Sequence, residues 1–68
     1  MNAIQKAKKL AVIIETHGKN TVLRMTDGSQ LTWGFALANR ISLHEKDRRL
    51  VNAIVEAGFA IGADITRV

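Results

Sequence analysis

A chain of 68 residues that contains no cysteine has to hold its fold with apolar packing alone, or with help from a partner. Domains this short bury only about 60% of the surface their unfolded chains expose, and their cores rarely supply more than roughly 3–5 kcal/mol. Small proteins often make up the difference with disulfides or a structural metal. Disulfides are excluded here, and thiolate metal sites and thiol nucleophiles are excluded with them. His17 and His44 are the remaining soft-metal ligands, too few for a structural zinc site. No metal or cofactor is therefore expected, and residues 1–68 read as one domain. The missing stability has to come from good packing or from another protein surface.

The middle of the chain reads as a hairpin whose register follows from burial. Thr21, Leu23 and Met25 alternate with Asn20, Val22, Arg24 and Thr26, and beyond Asp27-Gly28 the residues Leu31, Trp33 and Phe35 alternate with Gln30, Thr32 and Gly34. A two-residue Asp-Gly loop pairs Arg24 with Leu31 and mixes charge with apolar groups on one face. A three-residue loop, Thr26-Asp27-Gly28 with Gly28 in the left-handed region, pairs Leu23 with Leu31 and puts all the odd-numbered positions on one apolar face. A slip of one residue would expose that whole set, so burial selects the longer loop.

The segments on either side are less uniform. Ile4, Ala7, Leu10, Ala11 and Ile14 recur at helical spacing, with Asn2 as N-cap, Gln5 three residues on and Gly18 past the end. Val12, Ile13 and Ile14 are β-branched and also suit a strand from about Leu10 to Thr16, but the caps agree with the helical period at both ends. Gly34 to Ile41 is a short connector. Ser42-Leu43-His44-Glu45 matches a capping box, opening a helix expected to run to Ala57 with Leu43, Leu50, Ala53, Ile54 and Ala57 inward. Gly58 is its expected stop, with Phe59 folding back on Ile54. The tail from Ala63 to Val68, carrying Ile65 and Val68, reads as a final edge strand. The expected fold is thus α+β, a small two-layer domain of order α-β-β-α-β. Its three-stranded, mainly antiparallel sheet carries two helices on one face.

Function classes follow from what is present and what is missing. No apolar run is long enough to span a membrane, because Glu15 and Glu56 interrupt the longest ones. Lys6, Lys8 and Lys9 before an apolar run resemble a signal peptide, but Glu15-Thr16-His17 stands where small cleavage-site residues belong, so a cytoplasmic location is expected. No phosphate loop, His-Glu-x-x-His or Gly-x-Ser-x-Gly motif occurs, and neither histidine has a nucleophile arranged beside it. A non-catalytic role with no small-molecule substrate is expected.

Two kinds of partner fit the remaining pattern. All of the net charge of +4 lies in residues 1–24, where Lys6, Lys8, Lys9, Lys19 and Arg24 face only Glu15; from residue 25 on, cations and carboxylates cancel. Those five cations suit phosphate contacts to nucleic acid, of a sequence-blind and salt-sensitive kind. Trp33, Phe35 and Phe59 are assigned to the core, which leaves no aromatic platform for reading bases. A second basic run, Arg40, Lys46, Arg48 and Arg49, is interleaved with Glu45 and Asp47. Apolar residues are also in excess. With Ile4, Leu10 and Ile14 inward, Val12 and Ile13 point elsewhere, and with Leu50 and Ile54 inward, Val51 and Val55 fall on the flank. Val12, Ile13, Val51 and Val55 are therefore the expected protein interface, for self-association or for the surface of a larger protein. The expected C-terminal edge strand would offer a second route, by sheet extension. On this reading Val55→Asp removes the association and leaves the monomer folded. The expected function is that of a small regulator acting through protein contact, of the size and charge seen in phage and plasmid accessory proteins. Nucleic-acid binding through the basic N-terminal segment is the alternative.

Overall fold

In the computed structural model, which describes residues 2–67, three α-helices surround a two-stranded hairpin. Helix α1 spans Ala3–His17, strands β1 and β2 span Val22–Arg24 and Gln30–Thr32, and helices α2 and α3 span Trp33–Ala38 and Glu45–Ala60. The expected three-stranded α-β-β-α-β sheet is corrected: the sheet has two antiparallel strands, and most of the chain is helical.

Helix α1 forms where periodicity and caps agree. The Asn2 side chain accepts a hydrogen bond from the Gln5 N–H at 2.8 Å, and the Gln5 side chain accepts one from the Asn2 N–H, which closes a capping box. Gly18 ends the helix at φ 71°, and Val12 and Ile13 are helical. The buried line is Ala7, Ala11 and Ile14, with Leu10 half-buried; Ile4, expected inward, is exposed. The two alanines let α1 lie closely against α3, its main packing partner.

The hairpin has the register that burial selects. Leu23 pairs with Leu31, the Gly28 N–H donates to the Met25 carbonyl, and Gly28 sits at φ 89° in a three-residue loop. The strands stop earlier than alternation suggests. The Trp33 N–H still reaches the Thr21 carbonyl at 2.7 Å, but the Thr32 hydroxyl accepts from the Phe35 N–H and starts α2. The change of period moves one aromatic residue. In a strand, Trp33 and Phe35 share a face; in a helix, Trp33 shares its face with Ala36. Trp33 and Ala36 are buried and Phe35 is exposed.

Helix α3 departs further from expectation. It starts at Glu45 with His44 as N-cap, and the Ser42 capping box does not form because Ser42 belongs to a short 3₁₀ turn, Arg40–Ser42. It continues through Gly58 to Ala60. Gly62, at φ 82°, supplies the left-handed residue: its N–H donates to the Phe59 carbonyl and the Ala63 N–H donates to the Gly58 carbonyl, a Schellman ending. Phe59 does not fold back on Ile54 but is exposed. Gly58 is present for closeness rather than termination. A Cβ there would stand 3.0 Å from the Ala63 carbonyl oxygen and from the Ile65 side chain. The tail that packs over it forms a 3₁₀ turn, Ile65–Arg67, instead of an edge strand, and Val68 lies outside the described residues.

Ile65 is buried against this glycine, and its carbonyl accepts a hydrogen bond from the Trp33 indole N–H at 2.9 Å. One apolar cluster of α1, hairpin, α2, α3 and tail residues results, centred on Trp33, Ile14, Leu23, Ile54, Ile65 and Val51.

Candidate functional site

The tail and the hairpin loop together decide which face of α3 is buried. Its inward line is Asp47, Val51, Ile54, Val55 and Gly58. Val51 is 0% exposed and Val55 9%, so the assignment of these two to a protein interface is corrected: they are core. The buried stripe is turned by about one residue from the Leu50–Ala53–Ala57 line because Ile65 lies over Gly58 while Asp47 anchors the hairpin.

Asp47 is only 3% exposed, an unusual place for a carboxylate, and both of its oxygens are used. Oδ1 accepts from the Thr26 backbone N–H at 3.0 Å and Oδ2 from the Thr26 hydroxyl at 3.2 Å. This pairing fastens the hairpin loop to the first turn of α3. The sequence carries a signal for it in the spacing of Asp47, Val51, Ile54 and Gly58, which places the acid on the apolar line.

Val12 and Ile13 remain on the surface, 51% and 43% exposed. They project from α1 on the side away from Ala7, Ala11 and Ile14, and with Gln5, Lys8 and Lys9 they line an open, largely apolar trough of about 610 Å³. No carboxylate of the described residues lines it.

The five cations assigned to nucleic acid do not all line one depression. Lys8 and Lys9 belong to the α1 trough. Lys19 lies beside Gly34 at the start of α2, where a Cβ on Gly34 would stand 3.0 Å from the Lys19 Cβ. Lys6 and Arg24 share a different depression, of about 300 Å³, with Lys46 of α3; Ala3, Met25, Thr26, Asp47 and Leu50 complete it. Sequence order gave no reason to group Lys46 with Lys6 and Arg24.

A further depression of about 340 Å³ lies between the hairpin loop and the start of α3, lined by Thr26, Asp27, His44, Glu45 and Lys46. Asp27 accepts from the Ser29 hydroxyl at 2.6 Å and from the Ser29 N–H at 2.9 Å. Those bonds, with a smaller contribution from His44, hold its carboxyl below the usual value. The Asp27 carboxylate is thus occupied with its own turn. His17 is exposed at the end of α1.

No protein family, curated protein or solved structure matches this chain, so the reading of the surface rests on its own chemistry. No helix among the described residues is long and apolar enough to cross a membrane.

Proposed function

We propose that the protein is a non-catalytic, cytoplasmic regulator that acts by laying the outward face of α1 on a larger protein whose surface is apolar with an acidic edge. The observation that supports this reading is the pair Val12 and Ile13, half exposed on a capped, well-packed helix and flanked by Lys8 and Lys9. Exposed aliphatic groups on one helix face, bordered by charge, are the pattern of helix-in-groove recognition.

Charge favours a different protein over a second copy. Two-fold pairing brings each face against its own like, and the lining residues Gln5, Lys8, Lys9, Val12 and Ile13 offer no carboxylate to meet the partner copy's lysines. Size sets the strength. A standard interface takes roughly 800 Å² from each partner, about a sixth of this chain's 4626 Å². A helix of 15 residues is about 22 Å long, so a single face of it falls short of that area and gives a transient contact.

The test is a ¹H–¹⁵N titration with an amphipathic Leu/Glu helical peptide and its Leu/Lys counterpart. The proposal expects the acidic peptide alone to shift Gln5, Lys9, Val12, Ile13 and Thr16, and Val12→Ser to abolish the shifts. Equal binding of both peptides, shifts elsewhere, or self-association through these residues in sedimentation would overturn it.

A further inference from the structure

The depression shared by Lys6, Arg24 and Lys46 is built differently from the α1 trough. Its three cations come from α1, β1 and α3, far apart in the chain, and fold into one concavity of about 300 Å³. None of the three forms an ion pair with a described carboxylate; the two ion pairs among the described residues are Arg49–Glu45 and Arg67–Asp64. Among the described lining residues the one acid, Asp47, is buried with both oxygens committed to Thr26. It therefore offers the cations no free oxygen at the surface, and the three positive charges outnumber it.

The backbone carrying these cations is fixed in place. The Asn2–Gln5 capping box sets the start of α1 just ahead of Lys6, Arg24 is in the paired part of β1, and the Asp47–Thr26 bonds hold the hairpin loop on α3 beside Lys46. Three cations on rigid elements around one concavity are arranged for a compact anion, because their mutual repulsion is relieved when a multiply charged group sits among them.

We infer that Lys6, Arg24 and Lys46 form a binding site for a small phosphate-bearing ligand. Phosphate fits the donor set: Arg24 can give two parallel N–H bonds to a pair of phosphate oxygens, while the lysines act as point charges. A compact ligand fits better than a nucleic-acid strand. Among the described residues the concavity is lined by these three cations and by no aromatic group for stacking, and Lys8, Lys9 and Lys19 do not line it.

The experiment titrates the ¹⁵N-labelled chain with inorganic pyrophosphate at constant ionic strength, with sodium chloride as the blank, so that general screening is held fixed. The expected result is saturable shifts confined to residues around Lys6, Arg24, Met25, Thr26 and Lys46. Arg24→Gln and Lys46→Gln should each weaken binding about fivefold or more, as loss of a charge-assisted contact does; Lys8→Gln should leave it unchanged. Unsaturable shifts, or an equal loss in Lys8→Gln, would show a diffuse ion atmosphere and overturn the site. A parallel titration with a mixed-sequence single-stranded oligonucleotide separates the two sources of phosphate. Shifts extending over Lys8, Lys9 and Lys19 that pyrophosphate cannot displace would overturn the small-ligand reading in favour of a nucleic-acid backbone.

Discussion

The indole N–H of Trp33 donates to the backbone carbonyl of Ile65 at 2.9 Å, across 32 residues of sequence and inside the core. That bond ties the C-terminal tail to the junction between hairpin and α2, where neither end is protected by a long ladder of backbone bonds. Trp33→Phe leaves the Ile65 carbonyl buried without a donor and removes ring volume. A buried acceptor left unsatisfied costs about 1–3 kcal/mol, and each kcal/mol lowers Tm by roughly 4–8 °C in a domain of this size. Thermal unfolding followed by circular dichroism should show at least such a fall; an unchanged Tm would mean that the tail contributes little.

Asp47 and Thr26 make a comparable long-range link, and the two obvious substitutions should separate its parts. Asp47→Ala strands the Thr26 N–H and hydroxyl and should cost about 1–3 kcal/mol. Asp47→Asn keeps an oxygen for the Thr26 N–H and an amide group for the hydroxyl, so it should cost clearly less. Urea denaturation gives the ranking, and the Thr26 amide should exchange faster in Asp47→Ala alone. Equal losses would assign the effect to packing.

Two helical glycines should respond differently to alanine. At Gly34 the nearest side-chain atom is the Lys19 Cβ in a short exposed turn, and the helix gains about 0.5–1 kcal/mol from losing a glycine. Those effects oppose each other, and a change under about 1 kcal/mol is expected. At Gly58 the added methyl meets the Ala63 carbonyl and Ile65, both held by the tail, so overpacking of about 1–3 kcal/mol should prevail. If Gly58→Ala were stabilising, the tail would have to lie elsewhere in solution.

The exposed and buried valines give opposite outcomes on the same substitution. Val12→Asp replaces an outward group and should change stability by about 0.5 kcal/mol or less. Val55→Asp puts an unpaired charge into the core at a cost of about 3–5 kcal/mol, comparable with everything a domain this small has to spend. Circular dichroism should therefore show a folded Val12→Asp and an unfolded Val55→Asp, the reverse of what the sequence reading of Val55 predicts.

The Asp27 carboxyl is held below its ordinary value of 3.8 by Ser29, so its contribution to stability is present above that value and is lost as pH falls through the lower folded value. Asp27→Asn keeps an acceptor for the Ser29 N–H but does not titrate. The stability difference between the two proteins should be constant near neutrality and shrink in acid below about pH 4, by a small amount because the group is exposed. A difference independent of pH would show that Asp27 acts through geometry alone.

What was legible in the sequence is what depends on local chemistry or on one exposed-or-buried choice. The Asn2–Gln5 cap, Gly18, the Thr26-Asp27-Gly28 loop and the Leu23–Leu31 pairing needed nothing beyond neighbouring residues and the burial of one face. The outward direction of Val12 and Ile13 followed from the helical period. The C-terminal half was not legible in the same way. Gly58 suits a helix stop and a close approach equally well, and only the position of Ile65 decides between them. Once the tail crosses α3 there, Val51 and Val55 turn inward and leave the interface. The grouping of Lys46 with Lys6 and Arg24 was not legible for a related reason. Lys6, Arg24 and Lys46 meet only through tertiary packing, whereas Lys8 and Lys9, close to Lys6 in sequence, line the α1 trough.

Both strands of the hairpin are edges, since among the described residues neither has a second neighbour in the sheet. Open edges invite chain-to-chain stacking, and fibril-forming segments typically need about six or seven consecutive extended residues. Here the Thr32 cap bends the chain into α2 after three residues of β2, and β1 is equally short. The hairpin's open edges are thereby kept too brief to template a second copy of the chain. Variants that remove the Thr32 hydroxyl and let the extended run continue through Trp33 and Phe35 would lengthen it toward an amyloid-competent segment.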